Sequence, residues 1–241
     1  MPNAIEEINK NGEYHLRYRI GSIFETAWSL RGLNQFLIDM AIQPEIPCYI
    51  MDRILEVHLE NLRKVMNIAG DKIDMIYIYD DIAHQSSLLM SKDMWRKTLG
   101  KRQKILFDAV KSYRKTLMYH CCGSIRPLID ELIDMGVDVL SPIQPKAKDM
   151  DFSELKRTFG HRISFHGGID IQDVLPRGTP EEVVKSADFA KEVLGKNGGY
   201  ILSPAHHIQA DTPLENILAL YGVTIQEEVK YMETIDNYLR T

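Results

Sequence analysis

The segment IDMIYIYDDIAHQ (73–85) decides the fold, because a run of apolar and aromatic residues ends abruptly in two aspartates. Its first part, IDMIYIY (73–79), is typical of a strand that is covered by helices. The next apolar run, TLMYH (116–120), comes after a helical stretch that follows Ser91. A strand, a helix and a second strand in this order predict a parallel βαβ unit.

The same alternation of strands and helices extends in both directions along the chain. Further strands are predicted at EYHLRYRI (13–20), VDVLS (137–141), RISFH (162–166) and YILSP (200–204), and helices fill residues 22–69. Later helices follow residues suited to helix capping, namely Ser91, Asp151, Thr179 and Thr212. The pattern predicts an α/β fold of the (β/α)8 TIM-barrel type, N-terminally incomplete with about six of eight strands. A doubly wound open sheet is the alternative, although its G-x-G-x-x-G fingerprint is absent.

Composition narrows the class of protein. The 241 residues, 44% hydrophobic and 26% charged, predict a single domain over 1–241. Six predicted strands instead of eight indicate that this domain lacks roughly the first two β/α units. A net charge of −5 argues against nucleic-acid binding, which needs clustered Lys and Arg. Neither a membrane span nor a signal peptide is evident, and three cysteines cannot form a disulfide framework. We expect a cytoplasmic protein that acts on a small molecule.

The loops after the strands should carry the function in either architecture. Five of the eight histidines lie at or just beyond strand ends: His84, His120, His166, His206 and His207. The residues expected to bind substrate come from the same loops: His84, Gln85, Gln144, Asp170 and His207. This clustering makes the strand-end face the candidate site.

The stretch HCCG (120–123) is the sharpest local signal. Because residues i and i+2 of an extended chain point the same way, His120 and Cys122 face one point. Imidazole and thiolate suit Zn²⁺, and a catalytic zinc ion needs a third protein ligand. His206 is the expected third ligand, with His207, His166 and His84 as alternatives. The competing interpretation is that these residues close a buried strand and bind no metal.

Two adjacent carboxylates, Asp80 and Asp81, close the strand at 73–79. Carboxylates here can act as a general base or orient a metal-binding histidine. Together with His206 they are the expected catalytic residues. The competing interpretation is a turn or a helix cap, since aspartate accepts hydrogen bonds from free backbone N–H groups.

Several segments occur in an order that resembles the uroporphyrinogen decarboxylase superfamily. They are IYDDIAHQ (78–85), YHCCGSIRPLI (119–129), SPIQP (141–145), FHGGID (165–170) and LSPAHHIQADTPLEN (202–216). The resemblance covers most of the chain and implies a (β/α)8 barrel, in agreement with the strand pattern. It also implies an enzyme of one of two chemistries.

The first chemistry is zinc-dependent methyl transfer from a methylated corrinoid protein to a thiol. Members with this activity resemble the chain in having His-x-Cys at a strand end, matched by His120 and Cys122. Their third zinc ligand is usually a distant cysteine, and the matching position here is His206. The resemblance therefore implies Zn²⁺ as cofactor and a corrinoid protein as partner, and it leaves a homodimer open.

The second chemistry is cofactor-free decarboxylation of uroporphyrinogen in porphyrin biosynthesis. Decarboxylases carry a histidine at the place of His206 but lack His-x-Cys, and their N-terminal arginine-rich segment has no counterpart here. A polycarboxylate substrate also calls for several arginines. We therefore favour methyl transfer, with decarboxylation and a non-catalytic truncated subunit as alternatives.

Overall fold

The computed structural model of the chain describes residues 14–222. Six parallel strands form one sheet in the order β1 to β6. They are β1 Arg17–Gly21, β2 Met75–Tyr79, β3 Thr116–His120, β4 Val139–Ile143, β5 Ser164–Ile169 and β6 Tyr200–Pro204. A sequential order is that of a (β/α) barrel, whereas a doubly wound sheet reverses its order at a switch point. The predicted fold class is confirmed, and the doubly wound alternative is wrong.

The predicted strand positions are confirmed with small shifts. The strand predicted at 137–141 begins and ends two residues later, because the chain enters the sheet only after the turn at Gly136. The strand predicted at 162–166 likewise runs over Ser164–Ile169. Glu13, the first residue of the strand predicted at 13–20, lies outside the described residues.

Helices connect the strands. They are α1 Phe24–Arg31, α2 Leu33–Ile42, α3 Glu45–Ala69, α4 Lys92–Trp95, α5 Lys101–Ser112, α6 Ile129–Asp134, α7 Phe152–Phe159, α8 Val174–Arg177, α9 Pro180–Leu194 and α10 Leu214–Tyr221. One turn of π-helix, Arg96–Gly100, joins α4 to α5. Short 3₁₀ turns lie at Gly70–Lys72 and Arg126–Leu128.

The predicted caps hold at three of the four positions. Ser91, Asp151 and Thr179 each accept a hydrogen bond from a backbone N–H in the first turn of the helix that follows. The cap predicted at Thr212 is wrong, because Pro213 occupies the N-cap position and α10 begins one residue later than the pattern suggests.

The two faces of the sheet differ in the residues that they carry. Outward-facing residues of the central strands are fully buried under the helices and form the main core, including Ile76, Ile78, Leu117, Tyr119, Leu140 and Phe165. The inward face carries Tyr77 and His120, together with a small apolar cluster of Met75, Met118 and Val139. In register, Tyr79 lies opposite His120. The carboxyl ends of β2 and β3 therefore bring Asp81 beside Cys122.

The sheet curls, so that Arg17 on β1 and Ser203 on β6 line the same cavity. Within residues 14–222, β1 and β6 are the two ends of the strand order rather than hydrogen-bonded neighbours. Among the helices of this described part, none combines the length and the hydropathy needed to cross a bilayer.

Candidate metal centre

The candidate metal centre lies where β2 and β3 end. His120 is the last residue of β3, and Cys122 and Asp81 each lie two residues beyond their strands. Asp81 Oδ1 accepts a hydrogen bond from the backbone N–H of Cys122 at 2.7 Å. Because this bond joins the two strand-end loops directly, the carboxylate is held on the same side as the thiol.

Three ligand atoms converge at this point. His120 Nε2 lies 3.5 Å from Cys122 Sγ and 3.8 Å from Asp81 Oδ1. All three residues offer ligand atoms within 4.8 Å of one another. Ligands at 2.0–2.3 Å from a tetrahedral zinc ion lie about 3.5 Å apart, so this spacing suits a metal with little rearrangement.

The protonation states of His120 and Cys122 are also compatible with binding of a metal cation. Burial lowers the pKa of His120 to about 4, so its ring is neutral and keeps a lone pair at neutral pH. Burial, together with the neighbouring Asp81 carboxylate, raises the pKa of the Cys122 thiol to about 12. A divalent cation would displace the thiol proton and balance the two anionic ligands. The donor set of imidazole, thiolate and carboxylate therefore fits zinc.

The backbone turns tightly after Cys122. Gly123 has φ +85°, and a Cβ atom at this position would lie 2.5 Å from the carbonyl oxygen of His84. The N–H of Gly123 donates to Gln144 Oε1 at 2.7 Å, and Gln85 Nε2 donates to the same oxygen at 3.2 Å. Only glycine fits this close approach, which holds the loop after β3 against the loop after β2.

A cavity of about 190 Å³ opens beside the cluster. It is lined by Arg17, Tyr77, His120, Ser141, Pro142, His166, Ser203, Pro204, Ala205, His206 and His207. The ring centroids of His120 and His206 are 6.3 Å apart, and those of His206 and His207 are 5.0 Å apart. A small ligand in this cavity would lie next to the candidate metal ligands.

The structure brings only some of the predicted site residues together. His206 and His207 line the cavity, but His206 is not one of the three residues whose ligand atoms converge. Of the alternative third ligands, His166 accepts or donates a hydrogen bond with Ser141 Oγ at 3.0 Å, and His84 bonds Ser87 Oγ at 2.8 Å. The convergence instead includes Asp81, which was expected to act in catalysis.

The other residues predicted to bind substrate lie elsewhere. Gln85, Gln144 and Asp170 line a separate crevice of about 10 Å³, too small for a ligand. Gln85 and Gln144 brace the loops, and the Asp170 carboxylate accepts hydrogen bonds from N–H groups of the turn that follows it. These side chains therefore shape the loops around the site and do not face the cavity.

Asp80 faces the opposite side of the sheet from the cavity and is fully buried. Its carboxylate accepts hydrogen bonds from the backbone N–H of Phe24 at 2.7 Å and from Gln103 Nε2 at 3.0 Å. Burial raises the pKa of Asp80 to about 7 despite these bonds. The Asp80 oxygens are occupied by these hydrogen bonds on the side of the sheet away from the cavity, and the catalytic role expected for Asp80 stays a prediction.

Three residues of the site were not predicted from the sequence. Arg17 and Tyr77 line the cavity, and Glu25 Oε1 accepts a hydrogen bond from the N–H of Asp81 at 2.9 Å. Inward-facing alternation along β1 and β2 could have indicated Arg17 and Tyr77, since alternate residues of a barrel strand point inward. No sequence signal relates Glu25 to a loop that begins 55 residues later.

A family profile, "Uroporphyrinogen decarboxylase (URO-D)", matches residues 3–225. The chain belongs to the uroporphyrinogen decarboxylase family. Methylcobamide:CoM methyltransferase MtaA of Methanosarcina barkeri is 32% identical over 147 residues, which are 61% of this chain and 40% of that protein. Uroporphyrinogen decarboxylase of Coxiella burnetii is 28% identical over 90 residues, 37% of this chain and 24% of its own length.

A solved structure described as a methyltransferase from Methanosarcina mazei superposes with a TM-score of 0.72. It is 23% identical in sequence, and the match covers 92% of this chain and 62% of that chain. This likeness confirms the fold. The chain thus spans less than two thirds of the length of each of these relatives.

Proposed function

We propose that this chain is the metal-binding part of a zinc-dependent methyltransferase of the family, moving a methyl group from a methylated corrinoid protein to a thiol. The observation that carries the proposal is the convergence of Asp81, His120 and Cys122 within 4.8 Å. Three protein ligands and one open position are typical of a catalytic zinc site. The similarity to a methylcobamide:CoM methyltransferase supports the same reaction class.

The residues of the chain would act by binding and orienting. His120, Cys122 and Asp81 would hold the metal, and zinc would keep the acceptor thiol deprotonated as a thiolate. The methylated corrinoid of the partner protein would supply the methyl group as a substrate: a sulfur–carbon bond would form as the carbon–cobalt bond breaks, with the bonding electron pair remaining on the corrinoid. The thiol proton would pass to water.

Arg17 favours an acceptor with a negative charge. Its guanidinium lies 4.5 Å over the Tyr77 ring, and its Nη1 donates to Met118 Sδ at 3.4 Å. Since these contacts leave most of its five N–H donors without a partner among residues 14–222, an anionic group in the cavity would find donors there. We therefore propose a small anionic thiol as the acceptor.

Decarboxylation of uroporphyrinogen is less well supported. A polycarboxylate of that size needs several arginines, and among the described residues that line the cavity Arg17 is the one arginine. A volume of about 190 Å³ corresponds to about six water molecules and suits a much smaller ligand. We also propose that the chain is a single domain in the cytoplasm, where its three free cysteines stay reduced.

Metal analysis combined with a methyl-transfer assay tests the proposed function. The purified chain should bind about one zinc ion, and Cys122→Ser should abolish binding, whereas Cys48→Ser on α3 is the matched control and should leave it intact. The zinc-loaded chain should methylate 3-mercaptopropionate with free methylcobalamin as donor. A chain that binds zinc but transfers no methyl group would contradict the reaction, and a folded chain without metal affinity would contradict the site.

A further inference from the structure

The start of α1 and the end of β2 exchange hydrogen bonds. The N–H groups of Phe24 and Glu25 donate to Asp80 Oδ1 at 2.7 Å and 3.3 Å. In return, the N–H of Asp81 donates to Glu25 Oε1 at 2.9 Å. Each segment thus supplies a carboxylate to the backbone of the other, and the two are fixed in relative position.

This exchange compensates for a missing local cap. Ile23 occupies the N-cap position of α1 and has no side-chain oxygen to accept from the first turn. Free N–H groups at a helix start need acceptors, and Asp80 provides one from a different element. Asp80 is itself held by Gln103, whose Oε1 accepts from Trp95 Nε1 at 2.9 Å. The start of α1 therefore has a rigid support.

Asp81 links Glu25 to Cys122, another candidate metal ligand, by hydrogen bonds. Asp81 uses its backbone N–H to bind Glu25 and its Oδ1 to bind the N–H of Cys122. Glu25, Asp81 and Cys122 therefore form a continuous chain of hydrogen bonds from a helix to the thiol loop. Loss of the first bond would leave the Asp81 N–H without this acceptor, and of these two bonds only that from the Cys122 N–H would remain to hold the Asp81 carboxylate at the convergence point.

We propose that Glu25 is a positioning residue that holds Asp81 as a metal ligand, an inference that rests on the metal site of the proposed function. Glu25 acts through Asp81, because within the described residues its own carboxylate is not one of the three converging groups. Its half-buried position shields the bond from water. Partners of this kind, one step removed from the metal, change metal affinity by about 10- to 100-fold when they are removed.

Zinc affinity of three variants of the full chain tests this role, with a chromophoric chelator as competitor. Glu25→Ala removes the acceptor and should weaken zinc binding about 10- to 100-fold. Glu25→Asp keeps the charge but shortens the reach, and it should weaken binding similarly. Glu25→Gln keeps an acceptor oxygen at the same reach and should bind zinc within about threefold of wild type.

A control variant and the absorption spectrum of the cobalt-loaded protein distinguish a positioning role of Glu25 from a general loss of stability. Glu45→Ala removes an exposed first-turn glutamate from α3 and should leave zinc affinity unchanged. Cobalt-loaded Glu25→Ala should show altered d–d absorption, since the position of Asp81 in the coordination sphere changes, while a merely less stable protein would keep the wild-type spectrum.

The outcomes distinguish this inference from the proposed function. Unchanged zinc affinity and spectrum in Glu25→Ala overturn the positioning role, and so does equal weakening by Glu25→Gln and Glu25→Ala. A wild-type chain without zinc affinity removes the metal site and this inference together. A zinc-binding wild type without methyl transfer removes only the reaction and leaves the role of Glu25 standing.

Discussion

Asp81 Oδ1 lies 2.7 Å from the backbone nitrogen of Cys122, and this hydrogen bond joins the loops that follow β2 and β3. The same carboxylate is 3.8 Å from His120 Nε2. Asp81 therefore couples the two strand ends and also presents an oxygen to the point that His120 and Cys122 face. Neighbouring parallel strands make this possible, because their carboxyl ends meet at one edge.

The identity of the third ligand can be decided by two substitutions. Asp81→Asn should lower zinc affinity by at least about tenfold, because the amide oxygen is a weaker ligand than a carboxylate. His206→Ala should leave affinity within about threefold, since His206 is not among the residues whose ligand atoms converge. Zinc titration of both variants checks this. The reverse ranking would restore His206 as the third ligand, as the sequence suggested.

Acceptor selectivity should depend on Arg17. Arg17→Gln should raise KM for 3-mercaptopropionate about 10-fold or more, because hydrogen bonds to charged groups contribute about 1.5–3 kcal/mol. KM for the neutral 2-mercaptoethanol should change less than about twofold. Arg157→Gln, at an exposed arginine on α7, is the matched control. An equal rise for both thiols would show that Arg17 does not recognise charge.

Gly123 should tolerate alanine less well than another glycine of similar backbone conformation. Gly123 and Gly198 have φ +85° and +82°, but a Cβ atom meets His84 only at Gly123, and at Gly198 nothing lies within 4 Å. Gly198→Ala should cost about 1 kcal/mol of unfolding free energy from backbone strain. Gly123→Ala should cost about 3 kcal/mol, because overlap with the His84 carbonyl adds to it.

Urea unfolding with a metal chelator present measures the unfolding free energy lost in Gly123→Ala and in Gly198→Ala without a contribution from zinc. Equal costs for the two variants would mean that the loop after β2 moves away freely. Gly123 would then not be needed to keep the two loops together.

His58 should make the chain sensitive to acid. Its Nε2 lies 2.9 Å from the carbonyl oxygen of Ser22 and must donate, so Nδ1 carries no proton. Nδ1 is buried without a hydrogen-bond partner among the described residues, and burial lowers the pKa of His58. The stability that neutral His58 contributes is complete above its unfolded pKa of about 6.5 and falls as the pH drops towards the folded pKa.

The variant His58→Gln keeps a donor for Ser22 but does not titrate. Between about pH 7.5 and about pH 5.5, wild type should lose more unfolding free energy than the variant, measured in urea with chelator. The two proteins differ at this position alone, so the difference between their pH profiles isolates His58. Parallel pH profiles would show that His58 has the same pKa in the folded and the unfolded state.

Asp80 and Asp81 are neighbours in the sequence, but their side chains lie on opposite sides of the sheet, which the sequence did not predict. As neighbours after one strand, both were expected to act in catalysis. The alternation of an extended chain sends the Asp80 side chain outward, where α1 covers it, and Asp81 toward the end of β3. Which aspartate faces the site depends on the strand's pairing and on the helix that packs behind it.

The sequence by itself determined the six strands, their parallel arrangement, the helices between them and the pairing of His120 with Cys122. These follow from local patterns, because apolar runs, capping residues and the two-residue period of a strand act over a few neighbours. Only the tertiary structure decided that Asp81 joins them, that Glu25 holds Asp81, and that Arg17 lines the cavity. Such contacts join residues far apart in the chain, and their geometry depends on strand register and helix packing, which no local pattern encodes.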